Sequence, residues 1–361
     1  MEEPMSSWLQ RKRIACLLTA TLAAVFVGTH SGATHAQDSL SVGGIYGGVW
    51  ADSIRDGFLK PFGEQSKVQL KIEEGISGVT LAKLRQQKDN PQFDVVWMDR
   101  IVSDQAIKEG LVEPISPAAL GNTPDVVGEA FIKNAAGEIM AVTTGYWAAG
   151  LAYNSKEIKD RPVSWLDLTK PEFKGRLAVY SPENAINFPI MVTLAELQGG
   201  GIKNIDPAYK LMAGLAKDKA IFFGGSPAGG NLLANGEASI ATLASSQVWD
   251  LQKKGLPIEY VVPKEGAIAG DIRVHIVKGT KNKALAEKLV NYVIGPQAQE
   301  EIAKRLLLGP VNTKAKLDAE TDKKMPWGPG GSVKNLRIVD ALAILENRDG
   351  WSKRWNEEVA K

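Results

Sequence analysis

Short apolar runs in this chain repeatedly end in loops of glycine, serine and asparagine, and the side chains able to do chemistry gather there. "LSVGGIYGGVW" sets Tyr46, Gly47, Gly48 and Trp50 side by side, and "SGVT" begins with Ser77. "DVVWMDR" ends on Asp99 and Arg100, and "TGYWAAG" holds Tyr146 and Trp147. "SPEN" offers Glu183 and Asn184, "FFGGSPAGGN" contains Ser226, and "EGAIAGD" leads into Asp271. Loop N–H groups, hydroxyls, carboxylates and aromatic faces are what a protein uses to hold a small polar molecule. Each loop taken singly is equally a turn or a cap. Ser77 suits a helix N-cap, Asp99 can cap the next helix or face a cleft, and Trp50 recurs with Ile54 and Phe58 at a helical spacing suited to a core. Their recurrence at strand ends along the whole chain is the stronger signal.

The glycine pairs of the first loop raise the question of phosphate binding. A dinucleotide fingerprint counted from Gly43 meets Ile45 at its third position, and no Lys-Ser/Thr follows Gly48, so both nucleotide motifs are absent. What is left is a tight strand-to-helix turn with free N–H groups.

Catalytic chemistry has little material. Arg11, Lys12 and Arg13 precede the apolar "IACLLTATLAAVFV", and "SGATHA" supplies small residues before a polar "QDS". This reads as a secretory signal peptide over residues 1–36, cleaved after Ala36, with an apolar core too short to be a retained anchor. Cys16, His30 and His35 leave with it, so the 325 residues that remain have no cysteine and a single histidine, His275. Zinc sites of the Cys or His type and Cys–His catalysis are excluded. No cofactor is expected. A Ser–His–Asp triad would have to use His275, which sits in "DIRVHIVKG" with the alternation of a half-buried strand, opposite Ile272, Val274 and Ile276. Loss of Glu2, Glu3, Arg11, Lys12 and Arg13 leaves a formal charge of +1, no electrostatic footprint for nucleic acid or an anionic membrane.

Periodicity supplies the elements that position these loops. "LSVGGIY", "VQLKIEEG" and "FDVVWMD" read as strands, each followed by a helical pattern, and Gly110 stops the helix through "DQAIKEG". A second series runs through "RLAVYSPEN", "INFPIMVTLAELQGG" and "NLLANGEASIATLASSQVWDL". Strand–helix alternation argues for an α/β fold with a largely parallel sheet, and 325 residues exceed what one core usually holds. In open α/β sheets ligands bind outside the carboxyl ends of the strands. Two such sheets facing each other would make a cleft lined by these loops.

The order of elements, with "GGIYGGVWADSIRDGFLKPFGEQ", "FDVVWMD", "GYWAAGLAYNSKEI", "LANGEASIAT" and "VKGTKNKALAEKLVNYVIGPQAQEEIAKRLLLGPVNTKA", resembles the periplasmic solute-binding proteins of ATP-driven importers. Within these it is most similar to the family containing the spermidine/putrescine-binding proteins. The resemblance covers Ser39 to Lys361. It implies a periplasmic, monomeric binding protein with no catalysis, serving an inner-membrane ABC permease. Two α/β lobes, each a mixed, mostly parallel sheet flanked by helices, would close about crossing hinge strands on a small ligand. Residues 39–147 and 266–313 would form the first lobe, 148–265 and 314–361 the second. The polyamine pattern implies an aromatic box of Tyr46, Trp50, Tyr146 and Trp147, with Asp99, Glu183 and Asp271 neutralising an amine-bearing solute. Departures are the glycines at 47 and 48 where acidic residues are common, and Ile101 and Val102 in place of aromatics. Two rivals stand beside it: an organic anion clamped by Arg100 and Arg273, and an exported hydrolase using Asp99 and Glu183.

Overall fold

Strands form where β-branched and aromatic residues run without charge, and helices where apolar residues recur every three to four positions. A computed structural model describes residues 38–360, so the signal-peptide reading of 1–36 lies outside the described residues. Twelve strands join in one mixed sheet: β1 (Ser39–Gly43), β2 (Gln69–Glu73), β3 (Val95–Asp99), β4 (Val112–Glu113), β5 (Phe131–Lys133), β6 (Ile139–Asn154), β7 (Leu177–Tyr180), β8 (Ile221–Phe223), β9 (Ile240–Ala244), β10 (Ile258–Val261), β11 (Ala267–Val277) and β12 (Leu336–Arg337). The main order is β2-β1-β3-β11-β6-β9-β7-β8. Parallel triplets lie on either side, β2-β1-β3 in one and β9-β7-β8 in the other. The long antiparallel pair β6–β11 joins them.

Two large apolar cores correspond to the two triplets. The first gathers Leu40, Val42, Trp97, Val274, Leu289 and Ile302. The second gathers Val179, Tyr180, Met191, Leu243, Trp249 and Trp355. The segment 314–361, expected wholly in the second lobe, divides between them. Met325, Trp327, Val333 and Leu336 pack in the first core, while Ile344, Trp351, Trp355 and Val359 pack in the second. The cause is β12, which pairs in parallel with Ala267 and Ile268 of β11 and carries its neighbours to the first core.

The half-buried strand expected around His275 is instead covered on both faces. β11 lies between β3 and β6 in the middle of the sheet, and Arg273 and His275 are as inaccessible as Ile272, Val274 and Ile276. Arg273 is held there by Ser103 and Asp104 of the helix Arg100–Lys108, which caps that face. At the crossing, the β6–β11 register slips by one residue, leaving Thr144 as a bulge. Its hydroxyl donates to the Ile272 carbonyl, and its own carbonyl accepts from Gln299.

Candidate ligand-binding cleft

A cleft of about 430 Å³ opens at the carboxyl ends of both parallel triplets, where the two cores meet. β1 leads to Tyr46, β3 ends on Asp99, the chain after β7 brings Glu183 and Asn184, and the turn after β8 brings Ser226. Trp147 enters from β6 at the crossing.

The first loop owes its shape to backbone that few residues adopt. Gly44 has φ +75°, and a Cβ there would lie 2.3 Å from the Trp97 carbonyl oxygen. Tyr46 itself has φ +67°, a strained setting for a side-chain-bearing residue. Reciprocal backbone hydrogen bonds with Gly75 of 3.0 and 2.9 Å hold it. This conformation aims the Tyr46 hydroxyl at Asp99, where it donates to Oδ1 at 3.1 Å. Ser77 Oγ donates to Asp99 Oδ2 at 2.6 Å and accepts from the Asp99 amide at 2.9 Å. Burial, aided by the Asp99 charge, pushes the Tyr46 phenol well above its usual range and keeps it a donor. The carboxylate of Asp99 is thus oriented by two hydroxyls and, among the described residues, carries no ion pair.

Aromatic surface frames that carboxylate. Tyr46 and Trp50 meet at 5.6 Å between ring centroids, tilted by 56°. Trp50 lines the cleft and packs its inner edge on the first core. Trp147 lies across Gly270 on the neighbouring strand, where any Cβ would meet its ring at 1.9 Å. Glycine at 270 is therefore what lets the indole reach the cleft.

Behind this wall Asp271 has a different setting. It is 1 % exposed, and its Oδ1 lies 2.7 Å from Arg100 Nε. Oδ2 accepts from Arg273 Nε at 2.7 Å and from Thr143 at 2.8 Å. Burial alone would raise its pKa, but Arg273 and Arg100 outweigh that and hold it below the ordinary carboxylate range. Arg273 also pairs with Asp104. His275 is fully enclosed nearby, its Nδ1–H donating to the Met140 carbonyl at 3.2 Å. Burial and Arg273 push its pKa down to about 3, so it is neutral. Among the described residues no group of three or more His, Cys, Asp or Glu is placed to hold a metal ion, and no helix is long and apolar enough to cross a membrane.

Residues 90–331 match the family of bacterial extracellular solute-binding proteins. This chain belongs to that family. It is 28 % identical over 319 residues to the spermidine/putrescine-binding periplasmic protein of Escherichia coli K12, covering 82 % of this chain and 88 % of that one. It is 25 % identical over 331 residues to the gamma-aminobutyric acid-binding protein of Pseudomonas aeruginosa PAO1, covering 88 % and 90 %. The crystal structure of an ABC transporter from Clostridium perfringens superposes with a TM-score of 0.78 at 24 % identity, over 89 % of this chain and 99 % of that one. The fold is the two-lobed one of periplasmic binding proteins, and members of the family carry solutes and are not enzymes. The hydrolase reading built on Asp99 and Glu183 is set aside on that ground.

The structure places the residues singled out from sequence differently about this cleft. Tyr46, Trp50, Asp99, Trp147, Glu183, Asn184 and Ser226 line it. Ser77 and Asn184 act on neighbours. Ser77 is the first helical residue and not the cap, and its hydroxyl goes to Asp99. Asn184 donates to the Gly224 carbonyl at 2.9 Å and accepts from the Ile186 amide at 2.9 Å, fixing its loop. Gly47, Gly48, Arg100, Tyr146 and Asp271 do not line the cleft. The two glycines are exposed on the outer side of the turn, Tyr146 is fully buried, and Arg100 and Asp271 neutralise each other. Arg273 is engaged as well, so the proposed anion clamp of Arg100 and Arg273 has no free member. Sequence reasoning missed Ser245 and Ser246, which line the cleft at the end of β9. The apolar run "IATLA" followed by "SS" was the signal.

Proposed function

We propose that this protein is the substrate-binding component of a periplasmic ABC importer, capturing a small amine-bearing solute between its lobes by hinge closure and passing it to an inner-membrane permease. The observation carrying this reading is Asp99, oriented by Tyr46 and Ser77 and paired with no Lys or Arg among the described residues, at the focus of Tyr46, Trp50 and Trp147. An ammonium group there gains a charge-assisted hydrogen bond and cation–π contact together. Binding relatives named for spermidine/putrescine and for gamma-aminobutyric acid have an amine as their shared ligand feature. Crossing strands β6 and β11 supply the hinge, with lobe boundaries near Trp147 and Glu265 in this reading.

Thermal unfolding with a panel of amines, amino acids, dicarboxylates and phosphonates tests it. A true ligand at about a hundred times its dissociation constant stabilises by about 2.7 kcal/mol and raises the midpoint accordingly. Stabilisation by dicarboxylates alone, with every amine silent, would overturn the reading.

A further inference from the structure

The two walls of the cleft differ in chemistry. The first-lobe wall is aromatic with a fixed carboxylate; the second-lobe wall is built from hydroxyls at the starts of helices. Helices Ser226–Ala234 and Ser245–Lys253, nine residues each, begin at the cleft, and neither has an acidic residue in its first turn. Their leading N–H groups and positive dipole ends meet the cavity with no acidic residue of their own, the Glu183 carboxylate lying against Gly224 beside the first of them.

Two independent observations show what these ends are prepared to meet. Ser245 is 4 % exposed and lines the cleft, and among the described residues its hydroxyl has no hydrogen-bond partner. The second concerns proton direction. Tyr180 is fully buried, and its oxygen accepts from the Ala244 amide at 3.1 Å and lies 2.6 Å from Ser226 Oγ. The phenolic proton needs an acceptor in that enclosed place, and Ser226 Oγ is the one within reach. Tyr180 thus donates to Ser226, and Ser226 turns its own proton outward into the cleft. Ala244 N–H, Tyr180 O–H and Ser226 O–H form a chain of donors ending on whatever occupies the cavity.

Resting on the amine-binding reading above, we infer that the solute is a zwitterion: its ammonium sits on Asp99, and an oxyanion, carboxylate or phosphonate, sits on Ser226, Ser245 and the helix starts opposite. Among the described residues no Lys or Arg side chain lines the cleft, so these neutral donors carry the oxyanion end. Glu183 is the acidic group on this side. It lies exposed against Gly224 at the mouth, and the zwitterion does not use it. A diamine would need it as the partner of a second ammonium.

Titration calorimetry on the chain with residues 1–36 removed distinguishes the two. The probes are ω-amino acids of three to six carbons and 2-aminoethylphosphonate, each beside the diamine and the dicarboxylate of matched length. One zwitterion is expected to bind at least tenfold more tightly than its matched diamine. Ser226→Ala and Ser245→Ala should each weaken that zwitterion about tenfold, with an unchanged far-ultraviolet circular dichroism spectrum reporting that the variants are folded. Glu183→Gln, which removes a like charge from the oxyanion's wall, should tighten zwitterion binding. A diamine that binds as tightly as any zwitterion and is lost in Glu183→Gln overturns this inference while leaving amine binding standing. Serine variants that weaken nothing overturn it as well. Binding of dicarboxylates alone would remove both readings.

Discussion

Asp99 and Asp271 stand almost side by side across the β3–β11 ladder, where Asp99 is in register with Ile272, yet they have opposite fates. Asp99 ends a strand at the cleft, and the groups touching it are hydroxyls that orient without neutralising. Asp271 lies inside the sheet and is clasped by Arg100, Arg273 and Thr143, so its charge is already balanced. Two aspartates that look alike in sequence differ in setting: one is locked in the sheet, and the other lines the cleft, where the proposed function gives it the solute's ammonium. The partner set decides which: hydroxyl donors leave a net charge for a guest, whereas guanidinium partners remove it.

Three measurements break or sharpen this contrast. The largest effect belongs to Asp271→Asn, which leaves Arg100 without its carboxylate partner and Arg273 with Asp104 alone. A loss of about 3–5 kcal/mol in unfolding free energy is expected, read from urea denaturation. A change below 1 kcal/mol would mean that the cluster is not structural. Next comes Asp99→Asn, expected to leave stability within about 1 kcal/mol while weakening an amine ligand by about 2–3 kcal/mol. Calorimetry beside the same urea curve would measure both, and equal behaviour of the two aspartates in both assays would erase the distinction. The smallest effect near neutral pH is a slope from His275, which packs behind Asp271. Its folded pKa near 3 lies below the unfolded value of about 6.5. The unfolded chain therefore takes up the proton first. Stability is full above about pH 6.5 and falls by up to about 1.4 kcal/mol per pH unit as pH drops below it toward 3. His275→Gln should flatten that slope between pH 6.5 and 5, and an unchanged slope would place the histidine in water.

Much of the fold was legible because it is written locally. The runs "LSVGG", "FDVVWMD" and "RLAVY" have the apolar continuity of buried parallel strands, and β1, β3 and β7 lie there. Gly110 and Gly236, both with positive φ, end helices as their position suggests. The face Trp351–Trp355–Val359 packs as its spacing implies. The strand-end loops were also legible, and seven of the residues drawn from them line the cleft. The allocation of side chains that face inward from the same strands was not. Tyr146 and Asp271 carry the same chemistry as cleft-lining residues, and a one-residue step along a strand moves a side chain to the other face, while Arg100 opens the helix that follows β3.

By itself the sequence determined the alternation of strands and helices, the scarcity of catalytic groups and the placing of glycine, serine and carboxylate at strand ends. These follow from periodicity and composition, which act over a few residues. Only the tertiary structure decided that β11 would be buried on both faces, that Arg100 would be paired with Asp271 and Arg273 with Asp104, and that Ser226 would lie against Tyr180. Those outcomes depend on contacts between groups 46 to 171 positions apart, Tyr180 with Ser226 and Arg100 with Asp271, and no local pattern carries the charge balance of partners that meet only when the chain has folded.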